Sequence, residues 1–96
     1  MKYGGCVYIT TNKNKTVLYT GVTSDLITRI TQHKEKHFTK SFTAKYNCDT
    51  LVYYKFYPRI EEAIEREKQI KAGNRASKLK LIESQNPDWK DLFHEL

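Results

Sequence analysis

Cys6-Val7-Tyr8-Ile9-Thr10, the polar run Thr11-Asn12-Lys13-Asn14-Lys15, and Thr16-Val17-Leu18-Tyr19-Thr20-Gly21 together decide the fold. The first and third pieces are rich in β-branched and aromatic residues, which suit the pleated, half-buried surface of a strand. The piece between them is polar and carries two asparagines, which tolerate turn geometry. The pattern predicts an antiparallel hairpin over residues 6–21, with Gly21 at its exit.

Working outward, Thr23, Ser24 and Asp25 supply capping side chains for a helix over residues 24–36, in which Leu26, Ile30 and His33 recur at helical spacing. Residues 37–49 read as a loop or a short helical turn. Val52, Tyr53, Tyr54 and Phe56 make residues 51–57 a third strand, closed by Pro58. A helix over 60–72 follows, with Ile60, Ala63, Ile64 and Ile70 as its apolar stripe and Gly73 at its end. Asn74 caps a helix over 74–84. Asn86-Pro87 opens a last one over 87–95, in which Trp89, Leu92, Phe93 and Leu96 share a face. No repeat or linker interrupts this order. The expectation is one α+β domain over residues 1–96, a small three-stranded antiparallel or mixed sheet flanked by helices.

Composition sets the function classes. With 39% hydrophobic residues the chain carries enough apolar mass for a packed core and too much for intrinsic disorder. Seventeen Lys and Arg against eleven Asp and Glu give a net charge of +6, which favours polyanionic partners. Cys6 and Cys48 have no CxxC spacing, and no apolar leader or run of about 20 residues is present. A reduced, cytoplasmic setting without a membrane is expected, and a disulfide framework or zinc site is not.

Three features stand out chemically. Glu67 lies at i+3 from Ile64 and i+7 from Ile60, inside the stripe that should face the core. A buried carboxylate needs a cationic partner or a metal. The pattern alone leaves both readings open: a core-edge ion pair with a Lys or Arg, or a catalytic or metal-binding acid. Arg29 and His33 are four apart on one helix face and flank the Leu26 and Ile30 stripe, so a cation and an imidazole should share a surface toward the hairpin. On these two residues alone, a solvent-facing Arg with its stem on the apolar surface and a satisfied His is the other reading. Tyr8 and Tyr19 are spaced so that the hairpin could bring two phenols onto one face of its sheet. Proton transfer beside an Arg and a carboxylate is one reading of them, and plain core packing, the usual place of strand tyrosines, is the other.

Taken together, Cys6-Val7-Tyr8, then Tyr19-Thr20-Gly21, then Arg29 in one helix and Glu67 in the next resemble the GIY-YIG nuclease superfamily. The runs 62–71 and 86–92 look like its small stand-alone bacterial members, similar to the N-terminal domain of excision-repair nucleases. Cys6 and Val7 replace the Gly and Ile of the first tripeptide, Thr20 the middle Ile of the second. Val22 stands where some repair nucleases of the superfamily carry Lys.

The resemblance implies the GIY-YIG fold and a hydrolase, a metal-dependent endonuclease cutting DNA phosphodiester bonds. Low sequence specificity or selectivity for branches, nicks or flaps, and work in repair or recombination, are expected. Tyr8, Tyr19, Arg29, His33 and Glu67 carry over as site residues, with Glu67 holding one divalent metal, Mg²⁺ or Mn²⁺. Arg29 would neutralise charge on the phosphoryl oxygens, and Tyr19, or His33, would activate water. Lys34, Lys36, Lys40, Lys45, Lys71, Arg75 and Lys78 bracket this set as expected contacts to the DNA backbone. RNA is a second polyanion that these residues would accept, and a monomer is expected. The rival reading is a non-catalytic DNA- or RNA-binding module that keeps the fold.

Overall fold

A computed structural model describes residues 4–36 and 41–96. Lys40, one of the expected DNA contacts, lies outside the described residues. Strands β1 (Gly5–Thr11), β2 (Leu18–Thr23) and β3 (Thr50–Tyr57) form an antiparallel sheet in the order β2-β1-β3. β1 is central and buried along its whole length. Successive side chains of a strand point to opposite faces, so β1 serves two cores. Val7 and Ile9 meet Ala63 and Ile70 of α3 (Ile60–Ala72) and Ile82 of α4 (Arg75–Gln85). Cys6 and Tyr8 meet Leu26 and Ile30 of α1 (Leu26–Lys34), together with Leu92. The fold is thus α+β, with helices on both faces of a three-stranded sheet. One short helix, α2 (Phe42–Lys45), connects α1 to β3.

Between β1 and β3 the pairing steps from Ile9–Tyr53 to Thr10–Leu51, so Val52 is an extra residue on β3. Such a bulge shifts the strand's alternation by one position. Val52 and Tyr53 consequently both join the α3 core, while Leu51 returns to the α1 face. The carbonyl of Val52 accepts from Asn86 Nδ2 at 3.2 Å.

The outer edge of β3 is covered. Tyr54 N–H donates to Gln85 Oε1 at 3.0 Å and Tyr54 O accepts from Gln85 Nε2 at 2.8 Å, so one side chain imitates a neighbouring strand. Further along, Leu51 N–H donates to Asp91 Oδ1 at 3.2 Å. β2 is the opposite edge. Its turn is built by Asn12, whose Oδ1 accepts from the N–H groups of Thr16 and Val17 at 2.8 and 3.2 Å.

Three expectations are corrected. Gly21 lies within β2 and not at the exit of the hairpin. Ile64 is 37% exposed, since the buried stripe of α3 runs through Ala63 and Ile70 with half-buried Ile60 and Glu67. The expected helix over 87–95 is a loop followed by a single 3₁₀ turn at Leu92–Glu95. The cause of the last is Asn86: its Oδ1 accepts from Lys90 N–H at 3.0 Å and its Nδ2 donates to Lys90 O at 2.8 Å. These bonds close a loop in competition with helical ones, and Trp89 inside it takes a left-handed φ of 56°. No helix among the described residues is long and apolar enough to cross a membrane.

Candidate active site

The hairpin register sets the first two groups. Tyr8 pairs with Gly21 and Thr10 with Tyr19, so the two tyrosines are diagonal neighbours on the α1 face of the sheet. Their ring centroids are 6.2 Å apart. Tyr8 is fully buried and Tyr19 half-buried. Gly21 leaves room for this: a Cβ there would come within 2.5 Å of Cζ and Oη of Tyr8 and 3.0 Å of the Tyr19 ring.

Helix α1 supplies the next two. Asp25 caps it, its carboxylate accepting from Thr28 N–H at 3.2 Å and Thr28 Oγ1 at 2.7 Å. Arg29 and His33, one turn apart, then face the tyrosines. The Tyr8 hydroxyl is the hub of the set. It lies 2.9 Å from His33 Nε2, is also held by the Arg29 side chain, and has the Tyr19 ring beside it. On the far side of the imidazole, Nδ1 is 2.9 Å from Thr43 Oγ1, which in turn is 3.1 Å from Ser41 Oγ.

Burial pushes the Tyr8 phenol up to about 12, although the hydrogen bond from Arg29 opposes the rise. Burial first, and the Arg29 charge second, hold the His33 imidazole below its ordinary value. At neutral pH the pair is therefore a phenol and a neutral imidazole with one N–H. The arrangement that satisfies every group has Tyr8 O–H donating to Nε2 and Nδ1–H donating to Thr43 Oγ1.

Glu67 comes from α3, on the other face of the sheet. Its carboxylate lies 3.3 Å from Lys71 Nζ and its side chain is 15% exposed. A hollow of about 280 Å³ runs along the β2 edge, lined by Leu18, Tyr19, Thr20, Phe42, Lys71 and Lys78. Tyr19 reaches it from one face of the sheet, and Lys71, the partner of Glu67, from the other. Among the described residues no three His, Cys, Asp or Glu side chains gather as a metal-binding group. A lone half-buried carboxylate fits a hard cation that keeps its waters and takes oxygens from a phosphate ligand, as Mg²⁺ commonly does.

The basic residues divide. Lys34 Nζ donates to Asp49 O at 2.9 Å, pairs with Asp91 and sits over the Phe93 ring, so this expected DNA contact is an internal tie. Arg75 donates to the carbonyls of Lys15 and Thr16, which fastens α4 to the hairpin turn. Lys36 and Lys45 are exposed, and Lys78 is half-buried at the hollow. Thr43 and Ser41 do not stand out in the sequence. The available signal was Ser41 three residues before Ala44, whose N–H it caps.

Against known proteins, the model of the GIY-YIG catalytic domain matches residues 4–80. The chain belongs to the GIY-YIG family of nuclease domains. It is similar to a UPF0213 protein of Syntrophus aciditrophicus, 35% identical over 82 residues, which are 85% of this chain and 92% of that one. A UPF0213 protein of Staphylococcus haemolyticus is 38% identical over 77 residues, covering 80% and 92% of the two chains. The solution structure of a UPF0213 protein from Bacillus halodurans superposes with a TM-score of 0.58 at 28% identity, covering 91% of this chain and 90% of that one.

Proposed function

We propose that the chain is an endonuclease that hydrolyses DNA phosphodiester bonds with the aid of one divalent metal, with little sequence preference, in the cytoplasm. The observation that carries this reading is the Tyr8 hydroxyl shared by Arg29 and His33, with the Tyr19 ring 6.2 Å from that of Tyr8. A buried phenol joined to a neutral imidazole forms a route for a proton, and the adjacent guanidinium suits an anionic phosphoryl group.

In the reaction, a water oxygen bonds to phosphorus as the bond from phosphorus to the leaving oxygen breaks. Tyr19, at the mouth of the hollow, takes the proton of that water. Its own proton passes to the Tyr8 oxygen as the Tyr8 proton moves to His33 Nε2. His33 is suited to receive it because it is neutral, and Thr43 and Ser41 hold its ring in place. Arg29 stabilises the charge that grows on the phosphoryl oxygens. Glu67 would hold the cation, Mg²⁺ or Mn²⁺, which when bound supplies neutralising charge at the phosphate and the leaving oxygen.

The test is incubation of purified protein with supercoiled plasmid, linear duplex and branched DNA, with Mg²⁺, with Mn²⁺ and with chelator. Nicking that requires a cation is expected. The Glu67–Lys71 pair favours one rival, a non-catalytic nucleic-acid-binding module in which Glu67 is a structural partner. DNA binding without nicking under either metal would establish that rival.

A further inference from the structure

Phe42 is 46% exposed and Tyr46 39% exposed, unusual for large rings in so small a domain. They are not scattered. Phe42 is stacked on Tyr19 at 5.8 Å with 30° between the planes, and Tyr46 lies 4.7 Å from Phe42. Three rings thus run outward from the candidate active site along α2. Cationic groups flank the row: Lys45 Nζ lies 5.4 Å from the Tyr46 ring centroid, and Lys71 and Lys78 line the hollow beneath Phe42.

We propose that Phe42 and Tyr46 form a stacking platform for unpaired nucleobases, so that the preferred ligand is single-stranded DNA or the unpaired arm of a branched one. The proposal rests on the nuclease reading for the role of the neighbouring site, but the platform binds with or without cleavage. Paired bases are stacked on one another and offer their faces to no protein ring, whereas unpaired bases do. Aromatic rings beside lysines are the combination by which single strands are held, the rings meeting bases and the cations meeting phosphates. The exposed rings explain why this face is apolar, and the lysines explain why an apolar protein partner would fit it poorly.

The experiment measures binding in chelator, using a fluorescent oligothymidylate and a blunt duplex of mixed sequence at one salt concentration. The parent should bind the single strand more tightly than the duplex. Tyr46→Ala and the double variant Phe42→Ala/Tyr46→Ala should weaken single-strand binding, the double variant by roughly tenfold or more, with duplex affinity within about twofold of the parent. The salt dependence should be unchanged, because rings release no counterions. Phe42→Trp, which keeps a ring, should retain binding, and its indole fluorescence should be quenched by the oligonucleotide. Equal loss of single-strand and duplex binding, or tighter duplex binding with no effect of the variants, would overturn the platform. Nicking of plasmid by the same preparations is scored separately, so failure of the nuclease reading is visible as intact binding without cleavage.

Discussion

The Tyr8 ring lies across the backbone of Gly21, its partner on the neighbouring strand, so closely that no Cβ fits between them. That contact, and not turn geometry, is the physical reason for a glycine two residues after Tyr19. It lets a buried phenol lie flat against β2 with its hydroxyl directed at His33.

Gly21→Ala should therefore act on the site more than on the fold. The added methyl must displace the Tyr8 ring, an overpacking that costs about 1–3 kcal/mol. A melting temperature lower by several degrees and a nicking rate reduced roughly a hundredfold are expected. Calorimetry and a plasmid-nicking assay on one preparation measure both. A variant that is destabilised but cleaves at the parental rate would show that the Tyr8 position is not part of the chemistry.

Glu67→Gln keeps the size of the side chain and removes its charge. On the metal-holding reading, cation-dependent nicking is lost while the melting temperature stays within a few degrees and DNA binding is equal or stronger. On the structural reading the loss of the Lys71 pair lowers stability, and cleavage falls only with the folded fraction. Lys71→Met is the control, since it breaks the same pair and leaves the carboxylate in place.

His33 makes stability depend on pH. Its folded imidazole binds a proton less readily than in the unfolded chain, where the pKa is near 6.5. The unfolded state therefore binds more protons as pH falls through about 6.5, so this contribution to stability is present above that value and is lost on acidification. Thermal unfolding between pH 8 and pH 5 should show a decline that is shallower in His33→Asn. An identical slope in both proteins would place the sensitivity elsewhere.

Lysines of similar sequence appearance should behave differently. Removing Lys34 leaves Asp91 half-buried without its cation, so Lys34→Ala should lower stability by about 1–2 kcal/mol and leave the salt dependence of DNA binding alone. Lys36→Ala combined with Lys45→Ala should leave stability unchanged and reduce the salt slope of duplex binding by roughly one for each phosphate that a lysine no longer neutralises. Titration at several salt concentrations separates the two outcomes.

The parts of the fold that could be read from sequence were those with a local cause. The hairpin and β3 follow from strand-forming runs, and the meeting of Tyr8 with Tyr19 and of Arg29 with His33 follows from strand register and one-turn helical spacing. What escaped reading depends on distant partners. The tie of Lys34 to Asp91 spans 57 residues, so nothing near Lys34 marks it as different from Lys36. The loop at Asn86 arises from side-chain bonds that outcompete a helix, and the bulge at Val52 from fitting two cores at once. Thr43 enters the site only because α2 folds back onto His33. Glu67 is ambiguous in sequence for a different reason: an ion pair and a metal both answer for a carboxylate on that stripe, and its 3.3 Å pair with Lys71, one turn on and half exposed, is compatible with either.

The covering of β3 by Gln85 and Asp91 also orders events during synthesis. Gln85 follows Tyr54 by 31 positions and Asp91 follows Leu51 by 40, so β3 leaves the ribosome well before the side chains that close its edge. Until then the growing polypeptide carries a strand whose free amides can pair with those of a neighbouring nascent chain, the hazard of any open sheet edge. Emergence of residues 85–91 removes that hazard within a single chain, because they deliver an amide and a carboxylate to the groups that would otherwise recruit another copy. Released chains truncated shortly before Gln85 should accordingly be far more prone to co-aggregate than chains that include Asp91.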